Sequence, residues 1–167
     1  YYKSCRRITE IASHAAGRSP SPTFKAVGAD NVSTGSLAGM RLLHQLKQHL
    51  GERLSIWPFD DIVDGKTDLV LVEIFPSLYF CRLGMVSAKK AAANPAFLDR
   101  ALAAYDSRGV KPGFTPIGND ADEADAIIAA AALRYFSIAS GFTLPAAGLA
   151  IARREGWIFG VPYDVSG

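Results

Sequence analysis

An α/β domain is what the sequence predicts, and three observations carry that expectation. "DLVLVEIFP" (68–76) is a run of apolar and β-branched residues bounded by Asp68 and Pro76, the pattern of a strand covered on both faces of a parallel sheet. "SLAGMRLLHQLKQHLG" (36–51) sets Leu37, Met40, Leu43, Leu46 and Leu50 at the three-to-four spacing of an amphipathic helix. Strand-like and helix-like segments alternate along the chain, which favours a sheet covered by helices. At 167 residues, 49% of them hydrophobic, the chain reads as a single domain. A domain of that length buries roughly two-thirds of the surface its unfolded form exposes, so it needs no staples.

Each element follows from local signals. Residues 1–15 are expected to form a short basic helix that stops at Gly17. "GRSPSPTFKAVGADNVSTGS" (17–36) reads as a long Gly/Ser/Pro-rich loop whose one strand-like run is Phe24 to Val27. Residues 1–35 thus lead into an α/β core over 36–167. Its first helix takes Ser36 as cap and Gly51 just past its end. "RLSIWPF" (53–59) is a short strand halted by Pro58, and the apolar strand at 68–76 follows. "NPAFLDRALAAYDS" (94–107) is a helix with Asn94 as cap and Pro95 at its first position. A Gly/Pro-rich loop over 109–119 precedes a helix to about Ser140. Another helix from about Pro145 leads to a last short strand in "GWIFGVP" (156–162).

Composition removes several function classes. Cys5 and Cys81 lie far apart, so there is neither a paired-cysteine zinc spacing nor a disulfide framework, and a reducing, cytoplasmic setting fits best. No apolar run approaches the ~20 residues of a membrane span, so a membrane is not an expected partner. The formal net charge is only +2. Lys3, Arg6, Arg7, His14, Arg18 and Lys25 make the first quarter locally basic, and such a run reads as a solvated face before it reads as a nucleic-acid patch. The chain opens on Tyr1 rather than methionine, which suggests a processed or partial product.

Chemistry concentrates in "NDADEADAIIAAAALRYF" (119–136), where acidic residues crowd the entrance to an apolar helix. Carboxylates in a first turn are stabilised by the helix macrodipole, which is one explanation. Asn119 and Asp120 suit a cap. At ~100° per residue, however, Asp122 and Asp125 share a face with Ala129, Ala132 and Phe136, whereas Glu123 and Arg134 fall on the solvent side. Dipole compensation gives no reason to prefer the apolar face. Glu73 ends the apolar strand, where an unpaired charge is costly to bury. It needs either a cation at the carboxyl edge of the sheet, where open α/β sheets bind ligands, or an arginine partner. Three carboxylates of this kind suit Mg²⁺ or Mn²⁺, hard ions that favour oxygen.

"LVLVEIFPSL" with Glu73, the Asp122/Asp125 spacing in "DEADAIIAAA", and "REGWIFGVP" together resemble an uncharacterised predicted-nuclease family of the ribonuclease-H-like superfold. The resemblance runs, more loosely, through "GSLAGMRLLHQL" and "SIWPF", over roughly residues 35–162. It implies a ribonuclease-H-like sheet with flanking helices, with Glu73, Asp122 and Asp125 as catalytic metal ligands in phosphodiester hydrolysis, and nucleic acid as partner. That superfold opens with a strand meander whose first strand carries a central metal-binding aspartate. Residues 1–60 show no such meander, and Asp30 lies in a Gly/Ser loop. The implied chain is therefore the C-terminal part of the fold, possessing or lacking activity accordingly. The alternative is a non-catalytic scaffold or interaction module that completes its sheet with a partner or a second copy.

Other motifs read as structural. "DGKTD" (64–68) ends like a phosphate-binding loop, but Asp60 replaces its first glycine and a strand follows where a helix should. Asn31-Val32-Ser33 is a glycosylation sequon by spelling alone. His14, His44 and His49 show no ligand spacing, and Lys89 and Lys90 read as solvated.

Overall fold

The computed structural model describes residues 5–23, 25, 27–28, 32–85, 94–114 and 121–163. The expectations for the Phe24–Val27 run, Asp30, Asn31, Lys89, Lys90, Asn119 and Asp120 lie wholly or partly outside them. Among the described residues the chain is mixed α/β, with six α-helices and a two-stranded parallel sheet. No helix is long and apolar enough to cross a membrane. The chain divides into two compact units.

The first unit comprises residues 1–15, 19–73 and 144–167. It holds α1 (Ile8–Ala15), α2 (Ser33–Leu50), a 3₁₀ turn (Gly51–Arg53), β1 (Leu54–Ile56), β2 (Leu69–Leu71) and a late helix, Ala146–Glu155. β1 and β2 pair in parallel with Leu54 opposite Leu69 and Ile56 opposite Leu71. A single parallel bridge between Glu73 and Ile158 stands where the last strand is expected. Leu54, Trp57, Trp157, Ile158, Phe159 and Val161 form the core of this unit, and the Trp57 and Phe159 rings meet edge to face at 5.4 Å.

Two expectations change here. β2 is not covered on both faces: Leu69 is 43% exposed, and Val70 and Leu71 are only half-buried. With one full partner strand and one bridge, β2 has too little around it to be a central strand. The helix expected to take Ser36 as its cap instead begins at Ser33, with Val32 at the cap position, and the Ser36 hydroxyl donates back to Val32 O within it. Gly51 does end it, with φ 57 at the cap. None of the 18 residues of α2 is buried, and Leu37 and Met40 are more than half exposed.

The outer edge of β1 is closed by the chain itself. Leu54 N donates to Gly51 O, and Leu54 O accepts Lys47 Nζ at 2.6 Å. Ile56 N donates to Asp60 Oδ2 at 2.9 Å, while Ile56 O accepts the N–H groups of Phe59 and Asp60. Lys47 and Asp60 are themselves ion-paired at 2.6 Å. Burial would raise the Asp60 pKa, but the Ile56 N–H and the Lys47 ammonium outweigh it and hold the group below its ordinary value. An added strand would have to displace this pair.

The second unit comprises residues 16–18 and 74–143. It holds α3 (Pro76–Cys81), α4 (Pro95–Ala104) and α5 (Asp122–Ala139); the late helix of the first unit is α6. α3 and α4 both pack on α5. Leu78, Tyr79, Phe80, Leu98, Ala101, Leu102, Ile128 and Ala132 form its core. Each fully buried leucine contributes about 1.5–3 kcal/mol relative to exposure. Asn94 caps α4 as expected, its Oδ1 accepting Ala96 N at 3.0 Å and Phe97 N at 3.4 Å, with Pro95 next. Tyr105 follows α4 and donates to Tyr79 O at 2.8 Å; burial pushes its pKa up to about 12.

Candidate functional site

Asp122 opens α5, with Ala121 at the N-cap position making no side-chain cap bond. Asp125 lies one turn on, its N–H donating to Ala121 O at 2.8 Å. The face expected from 100° spacing is the one that packs: Ala129, Ala132 and Phe136 are buried, and Asp125 heads them half-buried, while Asp122 is exposed. The Asp125 Oδ1 atom is fully buried and, among the described residues, accepts no hydrogen bond. Burial raises the pKa of this carboxyl above its ordinary 3.8, and the charge of Asp122 raises it further. An unsatisfied buried polar group costs about 1–3 kcal/mol. A proton or a cation at that oxygen would remove the cost.

Glu73 belongs to the first unit and is placed there by the bridge to Ile158, with Glu73 O accepting Phe159 N at 2.8 Å. Its side chain takes the arginine partner rather than standing free. Arg7 Nη2 donates to Glu73 Oε1 at 2.6 Å and Arg7 Nη1 to Glu73 Oε2 at 2.8 Å, a bidentate pair. Arg7 Nε donates to Glu10 Oε1 at 2.9 Å, and the Arg7 backbone N–H to Glu10 Oε2 at 3.1 Å. Thr23 adds its N–H and hydroxyl to Glu10 Oε1 at 3.2 and 2.9 Å. Burial alone would lower the Arg7 pKa, but the bonds and charges of Glu73 and Glu10 outweigh it and hold it above its ordinary value. Arg7 fits because Gly156 lies beside it: a Cβ there would stand 3.2 Å from Arg7 Nη1.

Of the three residues expected to share a cation, α5 brings Asp122 and Asp125 together, and Glu73 stands in the other unit. Among the described residues no three of His, Cys, Asp and Glu are grouped to hold a metal ion. The donor chemistry separates the candidates. Asp125 offers a buried oxygen that accepts no hydrogen bond among the described residues, which suits a cation; both oxygens of Glu73 are already paired with the Arg7 guanidinium.

Arg7 and Glu10 correct the sequence reading. Arg7 does not belong to a solvated basic face, since its side chain is only 14% exposed. The signal available was its i, i+3 spacing to Glu10 at the start of a helix. Nothing local announces the third member, Glu73, 66 residues on.

A cavity of about 210 Å³ lies beside β1, lined by Lys47, Ser55, Asp60, Lys66 and Thr67 among others. Its charged and hydroxyl groups already have protein partners: Lys66 pairs with Glu52 at 3.3 Å, Asp61 with Arg153, and Thr67 Oγ1 accepts Val63 N at 3.0 Å. The "DGKTD" segment therefore forms a turn into β2 rather than a phosphate cradle. No protein-family model matches the chain, and neither a curated protein nor a solved structure matches it significantly.

Proposed function

We propose that the chain is a metal-dependent phosphodiester hydrolase of ribonuclease-H-like character, with Asp122 and Asp125 holding a hard divalent cation, Mg²⁺ or Mn²⁺. The observation that carries this reading is the buried Asp125 Oδ1, which accepts no hydrogen bond among the described residues, beside a second carboxylate one turn away. Dipole compensation accounts for Asp122, which is exposed, but gives no reason to turn a carboxylate oxygen into the packed face of α5. When bound there, a divalent cation supplies charge stabilisation for a phosphoryl oxygen. Asp125 fixes the position, because its helix face is held by packing, and Asp122 adds an adjustable oxygen at the exposed rim. Glu73 stays with Arg7 in this arrangement. The sheet-completing scaffold is the weaker reading, since Lys47 and Asp60 occupy the outer edge of β1.

Binding and hydrolysis are tested separately, because the resemblance implies a first-strand aspartate that the sequence does not show. Calorimetric titration of Mn²⁺ into the chain should give saturable binding that an Asp122→Asn, Asp125→Asn double variant loses. Equal binding by parent and variant, or none by the parent, would sink the cation site. Cleavage of a single-stranded or duplex nucleic acid that requires Mn²⁺ and both aspartates would then assign the reaction.

A further inference from the structure

The helix α1 has an unusual packed face: its buried residues are Thr9, Glu10 and Ser13, all polar, whereas Ile11 is 50% exposed. It docks where β2 ends. Arg7, immediately before it, grips both oxygens of Glu73 and donates to Glu155 O at 3.3 Å. Ile8 N donates to Glu155 Oε2 at 2.9 Å, and Thr9 Oγ1 accepts Ile158 N at 3.0 Å. The contacts therefore fall on the carboxyl end of β2 and on the chain around the Ile158 bridge, the edge at which open parallel sheets take their ligands. Polar and ionic docking exchanges one set of hydrogen bonds for another with water, so it adds little net free energy compared with an apolar face.

We infer that α1 is a releasable strap over the carboxyl edge of this small sheet, latched by the Arg7–Glu73 ion pair. Arg7 serves as a built-in cation at the strand-end carboxylate. Release of α1 carries Arg7 and Glu10 away together and leaves both oxygens of Glu73 facing solvent. The strap stands on its own contacts.

Hydrogen exchange followed by mass spectrometry tests it, on the parent chain and on Arg7→Gln, at low and high NaCl. The expected result is that the α1 amides exchange at least ten-fold faster than those of β1 and β2 in the parent. High salt or Arg7→Gln should widen that gap while β1 and β2 stay unchanged. Arg7→Lys, which keeps the charge and loses the fork, should fall between. Equal protection of α1 and the strands in the parent, or a uniform loss across both in Arg7→Gln and Arg7→Lys alike, would show α1 to be an integral part of the fold and overturn the strap. Failure of the α5 site shows instead in the Asp122/Asp125 double variant, so the two readings fail separately.

Discussion

Two helices carry a carboxylate into a packed face, and they treat it in opposite ways. In α1, Glu10 is completely buried and meets four donors, two from Arg7 and two from Thr23. In α5, Asp125 is half-buried at the head of a face that carries Ala129 and Ala132, and its inner oxygen meets none among the described residues. A buried carboxylate with both oxygens hydrogen-bonded holds its own element in place. One with a buried oxygen that accepts no hydrogen bond adds cost without structural return, and such a residue is where a ligand or a proton is expected. The neighbourhood, rather than the residue type, separates the two.

The largest expected effect is at Glu10. Glu10→Ala leaves the Arg7 guanidinium short of a partner and strands the Thr23 N–H, so α1 should undock. Hydrogen exchange checks this as at least a ten-fold loss of protection at the α1 amides while β1 and β2 stay unchanged. Unchanged protection of α1 would place Glu10 with exposed ion pairs and erase the contrast with Asp125.

Asp125→Asn should act in the other direction. Removing the charge from a half-buried carboxyl whose Oδ1 accepts no hydrogen bond among the described residues should stabilise the metal-free chain by about 1 kcal/mol at neutral pH. The sign of the pH dependence follows from the raised pKa: the folded state holds its proton more tightly than the unfolded state. The parent therefore loses stability as pH rises from the ordinary value of 3.8 through the raised folded value. The advantage of Asp125→Asn should be absent below that window and complete above it. Comparison of unfolding midpoints from pH 3 to 7 would show this, and a pH-independent difference would mean that Asp125 is not strained in the folded chain.

How much of this was legible in the sequence depends on the range of each interaction. The α4 start was readable to the residue, because Asn94 and Pro95 act within one turn. The α5 face was readable too, since helix geometry places Asp125 over Ala129 and Ala132 without reference to other elements. β2 was found as a parallel strand but its cover was misread, because a run of apolar residues records hydrophobicity and not the number of neighbouring strands, which among the described residues is one strand plus one bridge. α2 was found by its periodicity, yet periodicity does not say what covers the apolar face, and Leu37 and Met40 remain exposed. Glu73 was recognised as a carboxylate that needs a partner, but the choice of Arg7 depends on α1 docking from 66 residues away. Short-range geometry fixed which residues share a face, and long-range packing decided which of them were already engaged.

The smallest effect sharpens the same comparison most finely. Asp122→Asn removes a favourable interaction with the helix macrodipole and, at the same time, the repulsion on Asp125, two terms of opposite sign and each of about 0.3–1 kcal/mol or less. Stability should move by no more than about 0.5 kcal/mol. The informative readout is the Asp125 carboxyl itself, followed by NMR through a pH titration. Burial is the larger cause of its raised pKa and the Asp122 charge the smaller one. In Asp122→Asn the Asp125 pKa should fall part of the way and stop above 3.8. A complete return to that value would make repulsion the whole cause, and Asp125 would then be an ordinary helix-start carboxylate with solvent at both oxygens. A partial return would leave one buried oxygen that only a proton or a cation can satisfy, which is the feature that distinguishes α5 from α1.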